Sequence, residues 1–405
     1  MSSFDAIQFA RYLQGAESLA ELIAIWLREL NAKGLEIQRF NLGMRTLHPQ
    51  IASQIFLWNA KDEAATNLNV NTIDNSESHY HGFKIINRGF PLSDLNSKEL
   101  QSSPIPKILR ELVTFHFYLP DFSTDYPFPI LKDLAERKMT GYLALPILEQ
   151  NRSQVFVSFA NSKPNGIDPN ERALIEETAM LFGLIWNSAA KVEMFTRLMQ
   201  LYLGPITAGN LLAGQVERGD VRELEAVLWF SDIRDYTGLT LNHPPEDVIA
   251  WLNEYYDLQI NLIHRAGGEV LKLMGDGLLA VFPLRSQIDF TPVKEKVMTA
   301  VRLSHKLMER GNRTRVANGL PRIEHGIGLH VGKVQYGNIG ARDRLDFTVI
   351  GSDVNLTSRI AAMCAQLQEK AVFSSAFTDG FPEKFTSLNK HKLKGVPQET
   401  ELFKR

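Results

Sequence analysis

Two aspartates in this chain stand where carboxylates can hold a metal: Asp232, in Phe230-Ser-Asp-Ile-Arg-Asp-Tyr-Thr237, and Asp276, in Lys272-Leu-Met-Gly-Asp-Gly277. The apolar run Ala226–Phe230 reads as a short buried strand that gives way to Ser231 and Asp232. The apolar runs Glu269–Met274 and Leu278–Leu284 flank Gly275-Asp276-Gly277, a hairpin signal. A carboxylate at the end of a buried strand is held firmly and still faces a cleft. Two of them on neighbouring strands can bind a hard divalent cation such as magnesium, which takes oxygen ligands and typically one or two carboxylates plus substrate phosphates. Taken singly, each aspartate is also an ordinary turn residue.

A third stretch gives the pair its meaning. In Asp346-Phe-Thr-Val-Ile-Gly-Ser-Asp-Val-Asn-Leu-Thr-Ser-Arg-Ile360, the run Phe347–Ile350 reads as a strand, Gly351 as a turn and Ser352 as a helix N-cap. The helix that follows carries Asn355 and Arg359 at i and i+4, on one face. Together the three stretches, in this order and spacing over residues 220–405, resemble the class III nucleotidyl cyclase catalytic domain.

The resemblance implies the cyclisation of a nucleoside triphosphate, in which the ribose 3′-hydroxyl attacks the α-phosphate and pyrophosphate leaves. It implies two Mg2+ (or Mn2+) ions per active site, about 3.5–4 Å apart. Asp232 and Asp276 are the expected ligands, with the Ile233 carbonyl as a third. It implies that Arg359 meets the charge growing on the phosphoryl oxygens and that Asn355 fixes the ribose for in-line attack. Lys272 and Thr348 fall at the base-selecting positions. Adenine offers an acceptor at N1 and a donor at its 6-amino group, which a lysine and a threonine can match, so ATP is the expected substrate. Many members carry aspartate where this chain has Thr348; the departure blurs selectivity and matches a bacterial-type subgroup, some of whose members respond to bicarbonate. Lys394 is a candidate for the triphosphate tail, with an ordinary surface lysine as the alternative. In the family the metal aspartates and the transition-state residues of one site come from different catalytic domains. A chain holding one copy of both sets is therefore expected to act as a homodimer with two sites at an isologous interface.

The elements that must position these residues follow along the chain. Its 405 residues allow two to three domains, and 44% hydrophobic against 22% charged residues is an ordinary globular composition. A net charge of −2 without a long basic run disfavours nucleic acid and acidic membranes as partners. No apolar run approaches a membrane span, and the N-terminus lacks the pattern of a signal peptide. Cys364 is the single cysteine, which fits a cytoplasmic location, and it reads as a small core residue.

Residues 1–40 read largely as helix, stopped at Gly34, and 51–60 as a strand. The polar stretch 61–80 reads as an exposed loop ending at His79-Tyr80-His81, where the two histidines sit on a solvated strand edge or share a metal. A helix over Ile105–Phe115, an aromatic and proline-rich loop over Leu119–Pro129, and strands at Gly141–Leu148 and Gln154–Ala160 follow. This element order and the run Gly141-Tyr-Leu-Ala-Leu-Pro-Ile resemble a GAF-type sensory domain, which would take a noncovalent small molecule or none, since residues 1–190 hold no cysteine. The aromatic stretch Phe115–Phe128 is expected to pack as core or line a pocket.

Asp168-Pro-Asn-Glu171 opens a helix that runs to about Leu203, where Gly204-Pro205 ends it. The heptad positions Leu174, Leu181, Ser188, Phe195 and Tyr202, with Thr178, Ile185, Val192 and Met199, are mostly apolar; they suggest packing on the sensory domain in the first half and on a second chain in the second, or one amphipathic helix on its own domain. A short helix, Ile206–Val216, leads into the strand 226–231. Helices 246–265 and 293–310, the hairpin 269–284, strands Ile323–Val331 and 345–350, and helix 352–367 complete the C-terminal part. Its core reads as βαββαβ. The expected fold is thus α+β: a GAF-like sensory domain over 1–167, a helical linker and dimerisation element over 168–219, and a ferredoxin-like cyclase domain over 220–405. A nucleotide-binding regulatory protein without turnover, or a guanylate cyclase, is the alternative reading; Lys272 opposes the latter.

Overall fold

The computed structural model describes residues 4–61, 74–122, 124–149, 152–284, 290–381 and 384–405. The chain divides into two compact units, Met1–Leu198 and Met199–Arg405.

The N-terminal unit is built on an antiparallel sheet of β1 (Ile37–Arg45), β2 (Ile51–Asn59), β3 (Asp74–Tyr80), β4 (Phe83–Pro91), β5 (Phe115–Tyr118), β6 (Gly141–Glu149) and β7 (Arg152–Asn161). Their order is β3-β4-β2-β1-β7-β6-β5. Alternation along each strand sends its apolar residues to two different layers. Leu143, Leu145, Val157 and Phe159 join one core with α2 (Leu19–Ala32) and α6 (Pro169–Leu203), beside α1 (Ala6–Gln14). Tyr142, Ala144, Phe156 and Ala160 join another with α4 (Ile105–Glu111) and α5 (Pro129–Glu136), which follow the single turn α3 (Lys98–Gln101). Helix α2 begins where the Ser18 hydroxyl accepts from the Glu21 amide at 3.1 Å. Trp26 stacks on Phe182 of α6 with ring centroids 4.2 Å apart, and its indole N–H donates to the Thr178 hydroxyl at 2.9 Å. The first half of α6 is therefore a core element, as its pattern suggested. Beyond it Val192, Phe195 and Tyr202 stand exposed.

Several expectations change here. Residues 37–45 are a strand: Gly34 takes φ +86 and turns the chain out of helix α2. The helix expected over 105–115 ends at Glu111, where Leu112 adopts φ +55, and 115–118 pairs with β6. Residues 62–73 of the expected loop lie outside the described residues, and 74–80 form the edge strand β3. His81 sits in the following turn at φ +50, so it does not share a strand face with His79. Its ring faces Glu21 at 3.6 Å. The aromatics of 115–128 pack together as core, Phe115, Phe117 and Phe128 among them.

The C-terminal unit opens with α7 (Pro205–Leu212) and β8 (Val221–Ile233), then α8 (Tyr236–Asn242), α9 (Pro245–Arg265), β9 (Glu269–Met274), β10 (Gly277–Pro283), α10 (Phe290–Ala317), β11 (His325–Gly340), β12 (Leu345–Ile350), α11 (Ser352–Gln366), β13 (Ala371–Ser374), α12 (Ser375–Thr378), β14 (Thr386–His391) and β15 (Thr400–Lys404). The sheet order is β14-β15-β13-β11-β8-β10-β9, with β12 pairing β11. The series β8, α9, β9, β10, α10, β11 is the expected βαββαβ core, and its strands lie in the order fourth, first, third, second. Val227 and Trp229 face α9 and α10, while Ala226 and Leu228 face β12 on the other side.

Two breaks expected in this unit do not occur. Helix α10 continues through Gly311-Asn312 to Ala317, because the Asn312 side chain bonds both the amide and the carbonyl of Ile323 and anchors that turn in the core. The glycine-rich run after Val331 continues β11 as one strand, paired with β8 to Gly337 and with β12 to Gly340. Gly332 in that run serves close packing. A Cβ there would lie 2.2 Å from an Asp353 carboxylate oxygen, so glycine lets the start of α11 rest on the strand.

Candidate functional site

The β8–β10 pairing places Gly277 opposite Asp232, so the two aspartates meet at the same end of adjacent strands. The Ile233 amide donates to the Asp276 carbonyl at 3.2 Å and ties the strand end to the hairpin turn. Gly275 turns the chain at φ +67. A Cβ at Gly277 would come within 3.1 Å of Asp232 Oδ1 and the Ser231 carbonyl, so that position must stay bare for the carboxylate to keep its place. Partial desolvation by the strands, and then the negative charge of Asp276, push the Asp232 carboxyl up to about 6. Among the described residues no lysine, arginine or histidine pairs with either carboxylate.

A close pair of carboxylates that lacks a cationic partner among the described residues fits a divalent cation. Among the described residues no group of three or more His, Cys, Asp or Glu side chains gathers to hold a metal, so the candidate donor set is these two carboxylates with the neighbouring backbone carbonyl of Ile233.

Asn355 and Arg359 lie on α11, whose buried face carries Thr357, Ile360, Ala361 and Cys364. Both candidate side chains point to solvent on the opposite face, with no hydrogen-bond partner among the described residues. The helix begins one residue earlier than the capping pattern implied: Gly351 is its cap, at φ 153, and Ser352 is its first residue. The Asp353 carboxylate, in the first turn, accepts from the Lys333 amide at 2.8 Å and pins the helix start to β11. Cys364 is buried, as expected of a core residue.

Lys272, on β9, makes an ion pair with Asp346 of β12, Nζ to Oδ2 2.6 Å. Thr348 is buried on β12, and its hydroxyl has no hydrogen-bond partner among the described residues. Lys394 is exposed in the segment between β14 and β15. The protomer thus brings Asp232 and Asp276 together, and sets Lys272 beside β12. It leaves Asn355, Arg359 and Lys394 facing outward.

Two residues here escaped the sequence reading. Tyr256 of α9 donates its hydroxyl to the Gly275 carbonyl at 2.6 Å, with the Gly277 carbonyl at 3.2 Å, and so grips the turn that carries Asp276. In sequence it is one aromatic in an apolar helix, with nothing to separate it from core. Asp346 opens the third motif, and its charge in an otherwise apolar strand was the available signal.

With this geometry in hand, the comparisons are specific. Residues 222–401 match the family described as the adenylate and guanylate cyclase catalytic domain. The C-terminal unit belongs to this class III cyclase family. The match begins at residue 222 and leaves the GAF resemblance of the N-terminal unit without support from it.

Adenylate cyclase 1 of Rhizobium meliloti is 28% identical over 181 residues, 44% of this chain and 27% of that protein. The adenylate cyclase of Anabaena cylindrica is 32% identical over 155 residues, 37% of this chain and 30% of that protein. The chain therefore matches less than a third of the length of either relative. Among solved structures, a bacterial light-regulated adenylyl cyclase is 28% identical, covering 45% of this chain and 90% of that one, at a TM-score of 0.39. The guanylyl cyclase Cya2 is 26% identical, covering 46% and 93%, also at 0.39.

Proposed function

We propose that the chain is an adenylate cyclase, converting ATP to 3′,5′-cyclic AMP and pyrophosphate at two sites shared across a homodimer. The N-terminal unit is its regulator, of GAF type. One observation carries the reading: the candidate residues divide into a paired-carboxylate set and an outward-facing set. Asp232 and Asp276 converge without a cation, while Asn355 and Arg359 stand exposed and unpartnered among the described residues. Two copies related by a two-fold axis can bring one set of each kind together, twice. The exposed Val192, Phe195 and Tyr202 on the second half of α6 give a second copy an apolar surface to cover.

Asp232, Asp276 and the Ile233 carbonyl would hold the divalent cations. When bound, such a pair lowers the pKa of the ribose hydroxyl and neutralises the leaving pyrophosphate. The chain's own groups do the rest. Asn355 holds the ribose so that its 3′-oxygen lies in line with the bond that breaks. That oxygen gives up its proton and bonds to the α-phosphorus, and the bond to the bridging oxygen of the β-phosphate breaks with its electrons leaving on pyrophosphate. Arg359 presents a planar fork of donors to the phosphoryl oxygens as their charge grows. Lys394 reaches the triphosphate tail. Lys272 donates to adenine N1, and Thr348 lies beside the 6-amino group.

A shallow cleft in the N-terminal unit, lined by Met44, His48, Gln54 and Arg197, is where a small effector would touch α6 directly. Among the described residues no helix is long and apolar enough to cross a membrane.

The test is product formation by the purified chain with Mg2+ or Mn2+, offering ATP and GTP separately. Cyclic AMP from ATP, with little product from GTP, is expected. Nucleotide binding without product under either metal would instead support the regulatory reading, and cyclic GMP from GTP in excess would move the assignment to guanylate.

A further inference from the structure

The base-reading pair has an unexpected member. Lys272 and Asp346 form a donor and an acceptor held at 2.6 Å, both partly open to solvent, at 36% and 54% exposure. Asp346 and Thr348 are two residues apart on β12 and so share one face of the strand. The residues between and after them point the other way: Phe347 packs edge-on against Tyr336, and Val349 is buried with Leu279 and Val281. On the shared face Thr348 is 4% exposed, and its hydroxyl lacks a hydrogen-bond partner among the described residues. A buried hydroxyl without a partner costs free energy in the resting protein and is relieved when a ligand group reaches it.

We propose that Asp346 is a specificity-determining residue, the carboxylate that accepts from the adenine 6-amino group while Lys272 donates to N1. This rests on the cyclase reading above. It places the acceptor two residues before Thr348 on the same strand face. A carboxylate has acceptor capacity for the lysine and for an amino group at once. Adenine and guanine each show one donor and one acceptor on this edge, in opposite order. Discrimination therefore comes from fixing which of the two protein groups lies where, and the ion pair fixes it. Thr348, able to donate or accept, follows whichever base the pair admits.

The experiment compares the full chain with Asp346→Asn and Thr348→Ala. It measures displacement of a fluorescent ATP analogue by ATP and by GTP, alongside kcat and KM for each nucleotide. An asparagine can present a donor or an acceptor, so Asp346→Asn is expected to weaken ATP about tenfold, mainly in KM, and to cut the ATP-to-GTP preference by about the same factor. Melting temperature should hold, because the pair is at the surface. An affinity and a preference within twofold of the parent chain would show that Asp346 is only a surface ion pair. A parent chain that prefers GTP would show that the pair is read in the other order. The displacement assay reports even if the parent chain makes no product, so failure of the cyclase reading and failure of this assignment remain distinct.

Discussion

At the turn that carries Asp276, one phenol fixes the geometry of the site. Tyr256 donates to the Gly275 carbonyl and lies within reach of the Gly277 carbonyl, on either side of the metal-binding candidate. Burial, with Asp276 nearby, pushes its own pKa up to about 12, so it stays a donor at any ordinary pH. Tyr256→Phe should cost about 1 kcal/mol of stability, the usual net value of one such bond. It should also loosen Asp276, lowering Mn2+ affinity in a calorimetric titration by several-fold; unchanged affinity would mean that the turn holds itself. At this scale the sequence carried the placement of Asp232 and Asp276 at neighbouring strand ends and of Asn355 and Arg359 on one helix face, because turn residues and helical spacing are distinctive. It did not carry Tyr256, whose role depends on which carbonyls lie beneath it in the fold.

At the scale of elements, the passage from α6 into the catalytic sheet is fastened by a buried carboxylate. Glu269, the first residue of β9, accepts from the Thr207 amide at 2.9 Å and from the Tyr336 hydroxyl at 3.1 Å. Burial pushes its pKa up, while these donors draw it back. It lies at the N-terminal end of α7, where a negative charge is favoured. Gly204, at φ +86, leaves room for it: a Cβ there would meet Glu269 Oε1 at 2.8 Å. Glu269→Ala would orphan the buried Thr207 amide and leave the Tyr336 hydroxyl only its 3.3 Å contact with the Thr207 hydroxyl, for a loss of about 2–3 kcal/mol in urea unfolding. Because β9 also carries Lys272, activity should fall more than stability alone explains; full activity at a temperature where the variant is folded would contradict that coupling.

The elements themselves were legible to different degrees. The hairpin around Asp276 and the long helix α6 were readable from turn residues and periodicity. β11 was readable only to Val331; beyond it Gly332, a residue type that normally breaks a strand, here lets Asp353 of α11 pack against it. The extension of α10 past Gly311 was hidden for the related reason that Asn312 is bonded by a distant segment, Ile323. In both places tertiary packing overrides a local signal.

At the scale of the whole molecule, acid stability reports on the buried histidines of the C-terminal unit. His305 stacks on His325 with ring centroids 4.4 Å apart. Burial, and then the charges of Lys370 and Arg234, lower His305 from 6.5 to about 4. His325 beside it is lowered as well. A histidine neutral in the fold and protonated when unfolded contributes stability that is complete above pH 6.5 and is lost as the pH falls from there toward about 4. Between about pH 7 and about pH 4.5 the chain should lose on the order of 2–3 kcal/mol relative to His305→Asn, read from urea midpoints. A constant difference across that range would show that His305 titrates in the fold as it does in the unfolded chain.

The division of each site between two copies is the central claim, and one mixing experiment tests it directly. Asp276→Ala removes one member of the carboxylate pair, and Arg359→Ala removes the outward-facing guanidinium; each alone should be inactive with ATP. In a mixed dimer one site carries both lesions and the other carries neither. An equal mixture that exchanges freely should then recover about a quarter of the parent activity, since about half the dimers are mixed and each has one intact site of two. Recovery near that level is the predicted result. No recovery, with mixed dimers verified by mass, would contradict the shared site.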